Sequence, residues 1–189
     1  MTTAALQSID QVINGVNATQ MGATITHIKE DPALAKFRFR AKNHWVYGGH
    51  NQTTIHGFYG AGAEDTARTD PFVLDADEPP VLLGEDKGPN PVEYVLTALI
   101  SCMTTTMVYH AAAQGITIEE IESSMEGELD LQGFLGLRAD IRKGYQNIQV
   151  QFKVKSNADA KTLEALSKNS PVFDIVTNPV PVSVSVIAK

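Results

Sequence analysis

The residues of this chain able to do covalent or acid–base chemistry are one thiol, five histidines and a scatter of arginines and carboxylates. Cys102 is the only cysteine. It sits in GPNPVEYVLTALISCMTTTMVYHAAAQG, Gly88 to Gly115, among apolar residues with Thr104, Thr105 and Thr106 close behind. As a thiolate it would be a nucleophile. As a neutral thiol it would be a small hydrophobe filling a core, the commoner fate of a free cysteine. Cys102 falls about three turns inside a helix, beyond reach of the N-terminal dipole. An activated thiolate would therefore need a cation brought in from elsewhere: Arg38, Arg40, Arg68, Arg138, Arg142, a lysine or a protonated histidine. FRFR, read as a strand, puts Arg38 and Arg40 on one face with the phenylalanines opposite, the usual pattern of a solvated sheet face.

The same helix limits what else can reach the sulfur. Glu93 precedes Cys102 by nine residues, which at ~3.6 residues per turn places it on the opposite face and about 13 Å away along the axis. Glu93 fits a capping box with Asn90 better than a contact with its own Cys102. Thr105 and Thr106 share the Cys102 face, so their hydroxyls could bond the carbonyls four residues back or the sulfur itself.

His44, His50 and His56 recur every six residues. On one strand they would share a side but stand ~20 Å apart, too far to hold one metal. A turn at Gly48-Gly49 could bring His44 towards His50, yet no carboxylate or thiol stands beside them in sequence, so no metal site is expected. His50 reads either as a side chain presented into a site or as a solvated loop residue. The sequence holds no G-x-S-x-G elbow, P-loop or dinucleotide fingerprint, and no cofactor is expected.

The elements that would position these groups follow from periodicity and punctuation. Residues 5–14 read as a short amphipathic helix closed by Gly15. ATITHIKE and KFRFRAK alternate about Asp31-Pro32 and predict a hairpin. Strands are expected around Trp45–Tyr47, in TTIHGFYG and in PFVLDADE, followed by a loop rich in Pro and Gly. Asn90, Pro91 and Glu93 then open a long helix that Gly115 ends. Its apolar positions Val92, Val95, Leu96, Leu99, Ile100, Met103, Met107 and Val108 run most of the way round, so other elements must enclose it. IESSMEGELDL and NIQVQFKVK alternate as strands. A helix over 158–168 capped by Asn157, a helical turn in SPVFDIVTN and a last strand in PVPVSVSVI complete an α+β order with antiparallel sheets.

At 189 residues with 43% hydrophobic content, the chain is long enough for one well-packed domain. A net charge of -7 argues against nucleic acid and anionic membrane surfaces as partners. The long helix matches a bilayer in length, but Glu93, His110, Gln114, Thr97 and the three later threonines favour a buried helix of a soluble protein. One cysteine excludes an internal disulfide framework and fits a reducing compartment. The N-terminus lacks the features of a signal peptide, and the cytoplasm is the expected location.

GPNPVEYVLTALISCMTTT, followed by NSPVFDIVTNPVPVSVSV, resembles the OsmC-like family, which includes the organic hydroperoxide resistance (Ohr) proteins. HNQTTIHGFYG and ADEPPVLLGEDKGPNPVE add to the resemblance. It covers residues 20–187 of a domain spanning 20–189, with residues 1–19 as an N-terminal helical extension. The resemblance implies an intertwined homodimer in which antiparallel sheets from two chains surround the long buried central helices, with sites at the subunit interface. It also implies reduction of organic hydroperoxides, an oxidative stress defence, by a helix cysteine that becomes a sulfenic acid. Cys102 matches that attacking cysteine. The family's resolving cysteine, in Cys-Pro-Val, corresponds to Ser170 here, so a two-cysteine cycle within one chain is excluded and an external thiol reductant would be required. The family glutamate after Asn-Pro falls on Val92, with Glu93 next to it, and the activating arginine of the early hairpin region corresponds to Arg40, His50 or Arg68. Against the peroxidase stands a non-catalytic module that binds an apolar small molecule at the dimer interface, with Cys102 structural. A third reading is a redox protein whose Cys102 forms mixed disulfides without turnover.

Overall fold

The computed structural model describes residues 10–188. In chain order the elements are β1 (Val12–Ile13), β2 (Val16–Asn17), α1 (Ala18–Glu30), a 3-10 turn (Pro32–Ala35), β3 (Lys42–Tyr47), β4 (His50–Ile55), β5 (Phe58–Gly60), β6 (Ala63–Asp65) and β7 (Phe72–Ala76). A second 3-10 turn (Pro80–Leu82) precedes α2 (Pro91–Ala113), β8 (Ile118–Glu128), α3 (Leu131–Phe134), β9 (Asn147–Ser156), α4 (Ala160–Ser167) and α5 (Pro171–Thr177). The architecture is α+β, with every strand pair antiparallel among those whose register is resolved. The described residues form two compact units: 10–12 with Asn17–Val95, and Ile13–Val16 with 96–188.

The first unit carries a three-stranded sheet in the order β3-β4-β7. Gly48 at φ +56° lets the chain reverse tightly between Tyr47 and its partner His50, where a side chain would be strained. Loop 77–90 follows β7 and folds back on it. Gly84 is required there, because a Cβ would stand 1.8 Å from Glu78 O. Beside the sheet, Phe37, Phe39 and Phe58 stack with centroids 5.4 to 6.3 Å apart.

ATITHIKE is helix rather than strand, which overturns the first arm of the expected hairpin. Asn17 Oδ1 accepts from Gln20 N–H at 2.9 Å and opens α1. The β-branched threonines that suggested alternation instead bond back along the helix, Thr24 to Gln20 O and Thr26 to Gly22 O. Pro32 then ends the helix. The second arm, KFRFRAK, makes an isolated bridge between Arg38 and Tyr59, and only its last residue, Lys42, enters a strand, β3. The expected 5–14 helix lies partly outside the described residues; within them, 12–13 is strand and Asn14-Gly15 a turn with positive φ.

The second unit is a long β8–β9 ribbon with α2 and α4 packed on its apolar side. Met107, Ala111, Leu163 and Leu166 form its core, against Ile118, Ile121, Phe152 and Val154. On β9 the half-buried Ile148, Val150, Phe152 and Val154 alternate with exposed polar residues, as their period demands. α4 starts at Asp159, whose carboxylate accepts from Thr162 N–H, and not at Asn157 as its sequence suggests. Asn157 Oδ1 accepts from Thr117 N–H. The final strand expected in PVPVSVSVI is absent: residues 179–188 have no ladder partner.

α2 keeps the punctuation expected of it. Asn90 N–H donates to Glu93 Oε2 at 2.9 Å, Val92 N–H donates to Asn90 Oδ1 at 3.0 Å, and Gly115 takes φ +70°. Within this chain only a stripe of α2, Leu99, Met103, Met107 and Ala111 with Ala112, is buried. Replacing Met107 by Ala should lower stability by about 2–5 kcal/mol, read as a reduced urea midpoint with an unchanged slope.

Candidate functional site

Cys102 belongs to the second unit. It is a free thiol, half-buried on α2 beside the buried Met103. The hydroxyls that bond back to carbonyls are Ser101, to Thr97 O at 2.6 Å, and Thr104, to Ile100 O at 2.9 Å. Those bonds satisfy two hydroxyls on the helix itself. Thr105 and Thr106 make neither contact considered for them, and no hydrogen bond reaches Cys102 Sγ among the described residues.

Ser170, also in the second unit, is 1% exposed and has a definite task. Its Oγ accepts from Phe173 N–H at 3.1 Å, and its carbonyl accepts from Asp174 N–H at 3.0 Å. It is the N-cap of α5, and Pro171 occupies the first helical position, where no N–H is needed. Serine therefore has a structural role at this position.

The remaining candidates lie in the first unit. His50 opens β4, with Nε2 2.8 Å from Asp75 Oδ1 on β7. Gln52 Nε2 donates to the same oxygen at 3.3 Å, and Tyr94 Oη donates to Asp75 O at 2.7 Å. The register places His44 opposite Gln52 and Gln52 opposite Asp75, so these side chains share one sheet face with His50. The bond from His50, then that from Gln52, holds the Asp75 carboxyl below its ordinary pKa.

Two residues beyond Asp75, the buried Asp77 organises the loop that leads into α2. Its carboxylate accepts from the backbone N–H groups of Glu78, Glu85 and Lys87 at 2.8, 3.0 and 3.2 Å. Burial works to raise its pKa, but those bonds outweigh it and hold the group below its ordinary value, helped by His50. Glu78 in turn accepts a short hydrogen bond from Asn90 Nδ2. A buried carboxylate thus fixes the entry to the helix that carries Cys102. The sequence reading passed over Asp75 and Asp77. The available signal was D-x-D at a strand end, which by period 2 puts both on one side, but their partners lie far away in the chain.

The two arginines are already engaged. Arg40 makes a bidentate pair with Glu64 at 2.6 and 2.8 Å. Arg68 donates to His56 O at 2.6 Å and lies 4.6 Å over the Phe72 ring. Glu93 is the capping partner of Asn90. The described residues contain no group of three or more His, Cys, Asp or Glu arranged to hold a metal ion.

Two outcomes follow. Ser170→Ala should cost about 0.5–2 kcal/mol through loss of the α5 cap, measured by denaturant unfolding. The carboxyls of Asp75 and Asp77 titrate in the folded state below their unfolded value near ~3.9. Their contribution is thus fully present above about that pH and is lost as pH falls through the lower folded values. Asp77→Asn should flatten the pH dependence of the melting temperature below about pH 4 relative to the parent protein.

Comparisons with known proteins agree with this architecture. The family model described as OsmC-like protein matches residues 84–185. An OsmC-like protein from Mycoplasma pneumoniae has a similar fold, with TM-score 0.54 and 16% identity over 75% of this chain and 89% of that one. A Psychrobacter arcticus 273-4 protein, provisionally described as osmotic stress induced and of a detoxification response, gives TM-score 0.52 and 16% identity over 71% and 85%. An organic hydroperoxide resistance protein OsmC from Legionella pneumophila gives TM-score 0.47 and 21% identity over 74% and 89%. Among curated proteins no match is found. With more than half its length under the family model, from the loop before α2 to the C-terminal segment, the chain belongs to the OsmC-like family.

Proposed function

We propose that this chain reduces organic hydroperoxides at Cys102 and depends on an external thiol to complete the cycle. The observation that carries the reading is a half-buried thiol on the long helix of an OsmC-like fold, not tied up in any disulfide or hydrogen bond among the described residues. In the first step the thiolate attacks the distal oxygen of ROOH. The O–O bond breaks, sulfur is oxidised to Cys–SOH, and RO⁻ takes up a proton and leaves as ROH. A thiol R′SH then attacks the sulfenic sulfur, releasing water and leaving a Cys102–S–S–R′ mixed disulfide. A second R′SH restores Cys102 and leaves as R′SSR′. Ser170 cannot replace the external thiol, because its oxygen forms no disulfide.

The working unit in this proposal is a homodimer. Val95 and Tyr109 remain exposed on α2, and a second copy would cover them. Arg40 could serve as the activating cation only by leaving Glu64, and Arg68 only by leaving His56 and Phe72. The His50–Asp75 pair is the remaining candidate for proton transfer. Glu93 acts by starting the helix.

One set of observations favours a second reading, a non-catalytic module for an apolar small molecule with Cys102 structural. Ser170 is fully used as a cap, and both arginines are committed elsewhere. Incubating the reduced protein with cumene hydroperoxide and a dithiol separates the two. The peroxidase reading expects consumption of peroxide, loss of that activity in Cys102→Ser, and a dimedone adduct on Cys102 by mass spectrometry. Equal consumption by the variant and no adduct would overturn the peroxidase reading.

A further inference from the structure

An antiparallel pair such as β8–β9 needs only a short hairpin turn, yet residues 129–146 intervene between the two strands. This excursion is folded tightly on itself. Gln146 N–H donates to Glu128 O at 2.8 Å and closes its base. Asp130 caps the single turn of α3, accepting from Gln132 N–H at 2.9 Å. The buried Gly133 lies directly against the returning chain, where a Cβ would stand 2.3 Å from Arg142 O. Gly127 on β8 makes room for the Tyr145 ring, 2.6 Å from where its own Cβ would be. Arg138 forms a bidentate pair with Asp140 at 2.8 and 2.5 Å. Together these contacts make a compact surface loop with a fixed backbone.

What the loop displays is apolar. Leu131, Phe134 and Leu135 fall at i, i+3 and i+4, on one face of the α3 turn, and Leu137 follows Gly136. They are 38%, 67%, 60% and 69% exposed in the order Leu131, Phe134, Leu135, Leu137. Cations stand beside them, because the contact of Gly133 with Arg142 brings Arg142 and Lys143 alongside α3. Both are exposed, and neither has a carboxylate partner among the described residues. From Leu131 to Lys143 the acidic side is represented by Asp140 alone, which Arg138 already occupies.

The size and shape of the patch limit its occupant. Four such side chains expose on the order of 400 Å², about half of the ~800 Å² that each partner of a stable protein complex buries. By itself the patch is too small for a folded protein, a second copy included. A small-molecule site is concave, and the two cavities on this ribbon are lined by residues from Glu122 to Glu126 and from Gln149 to Lys153, none of them in the loop. An exposed apolar tip flanked by free cations suits a bilayer interface, where the apolar groups reach the acyl boundary and Arg and Lys stay among anionic headgroups. The net charge of -7 opposes a broad contact with such a surface. It does not oppose one confined to the tip, because charges more than about 10 Å away are largely screened at 0.1 M salt.

We propose that loop 131–143 is a peripheral docking site for an anionic lipid bilayer. Phe134, Leu135 and Leu137 enter the headgroup boundary, and Arg142 and Lys143 pair with lipid phosphates. Contact through one loop tip and two cations is weak, reversible and sensitive to salt. It goes beyond the peroxide chemistry and does not depend on it.

Flotation of the full-length protein with lipid vesicles tests the proposal. Vesicles of equal parts phosphatidylcholine and phosphatidylglycerol should carry the protein at low salt and release it at high salt, and pure phosphatidylcholine vesicles should carry far less. Arg142→Gln combined with Lys143→Gln should weaken binding by about tenfold or more. Phe134→Ser combined with Leu135→Ser should weaken it by about as much, with the urea midpoint unchanged because both side chains are exposed; if this pair fails to fold, the charge pair decides. No flotation with the anionic vesicles, equal flotation with both kinds, or flotation that the charge pair leaves intact would overturn the proposal. So would a change of oligomeric state in Phe134→Ser with Leu135→Ser by ultracentrifugation, which would assign the patch to a partner subunit.

Discussion

A helix that is apolar around most of its circumference has to be enclosed, and this requirement governs the rest of the structure. α2 supplies the central rod, and β8, β9 and α4 cover one stripe of it from Leu99 to Ala112. Val95, one turn before that stripe, and Tyr109 remain exposed. Since hydrophobic stabilisation scales with the apolar area removed from water, a rod of this kind favours partners that finish the enclosure. The exposed valines of the C-terminal segment are a second unmet demand of the same sort.

The rod is held at its entrance by polar rather than apolar forces. Asp77 collects three backbone N–H groups from its own loop, Glu78 takes the Asn90 side chain, and Glu93 closes the cap. A buried carboxylate is costly unless its oxygens are bonded. Here the bonds are made by a loop that would otherwise have little to order it. Position and orientation of the helix start are therefore set by a few charge-assisted bonds.

The chain differs from the family's two-cysteine pattern in a way that is physically coherent. At position 170 a hydroxyl caps α5, which asks only for an acceptor of the right length. Arg40 has a bidentate carboxylate partner, and Arg68 a carbonyl and an aromatic ring. Each of these side chains has a local structural explanation.

Much of this was legible in the residues alone where the signal is local. The span of α2, with Asn90, Glu93 and Gly115 as its punctuation, and the alternation that makes β8 and β9 strands both depend on neighbours within a few positions. The cap at Ser170 ahead of Pro171 is of the same kind. What failed to be legible depends on distant partners. ATITHIKE alternates like a strand, yet with no sheet edge beside it and Asn17 at its start, helix hydrogen bonding prevails. PVPVSVSVI alternates as well, but a strand exists only when another edge accepts it. The roles of Asp75, Asp77, Arg40 and Arg68 were settled by tertiary structure, because a side chain's charge is written in the sequence while its partner is chosen by the fold.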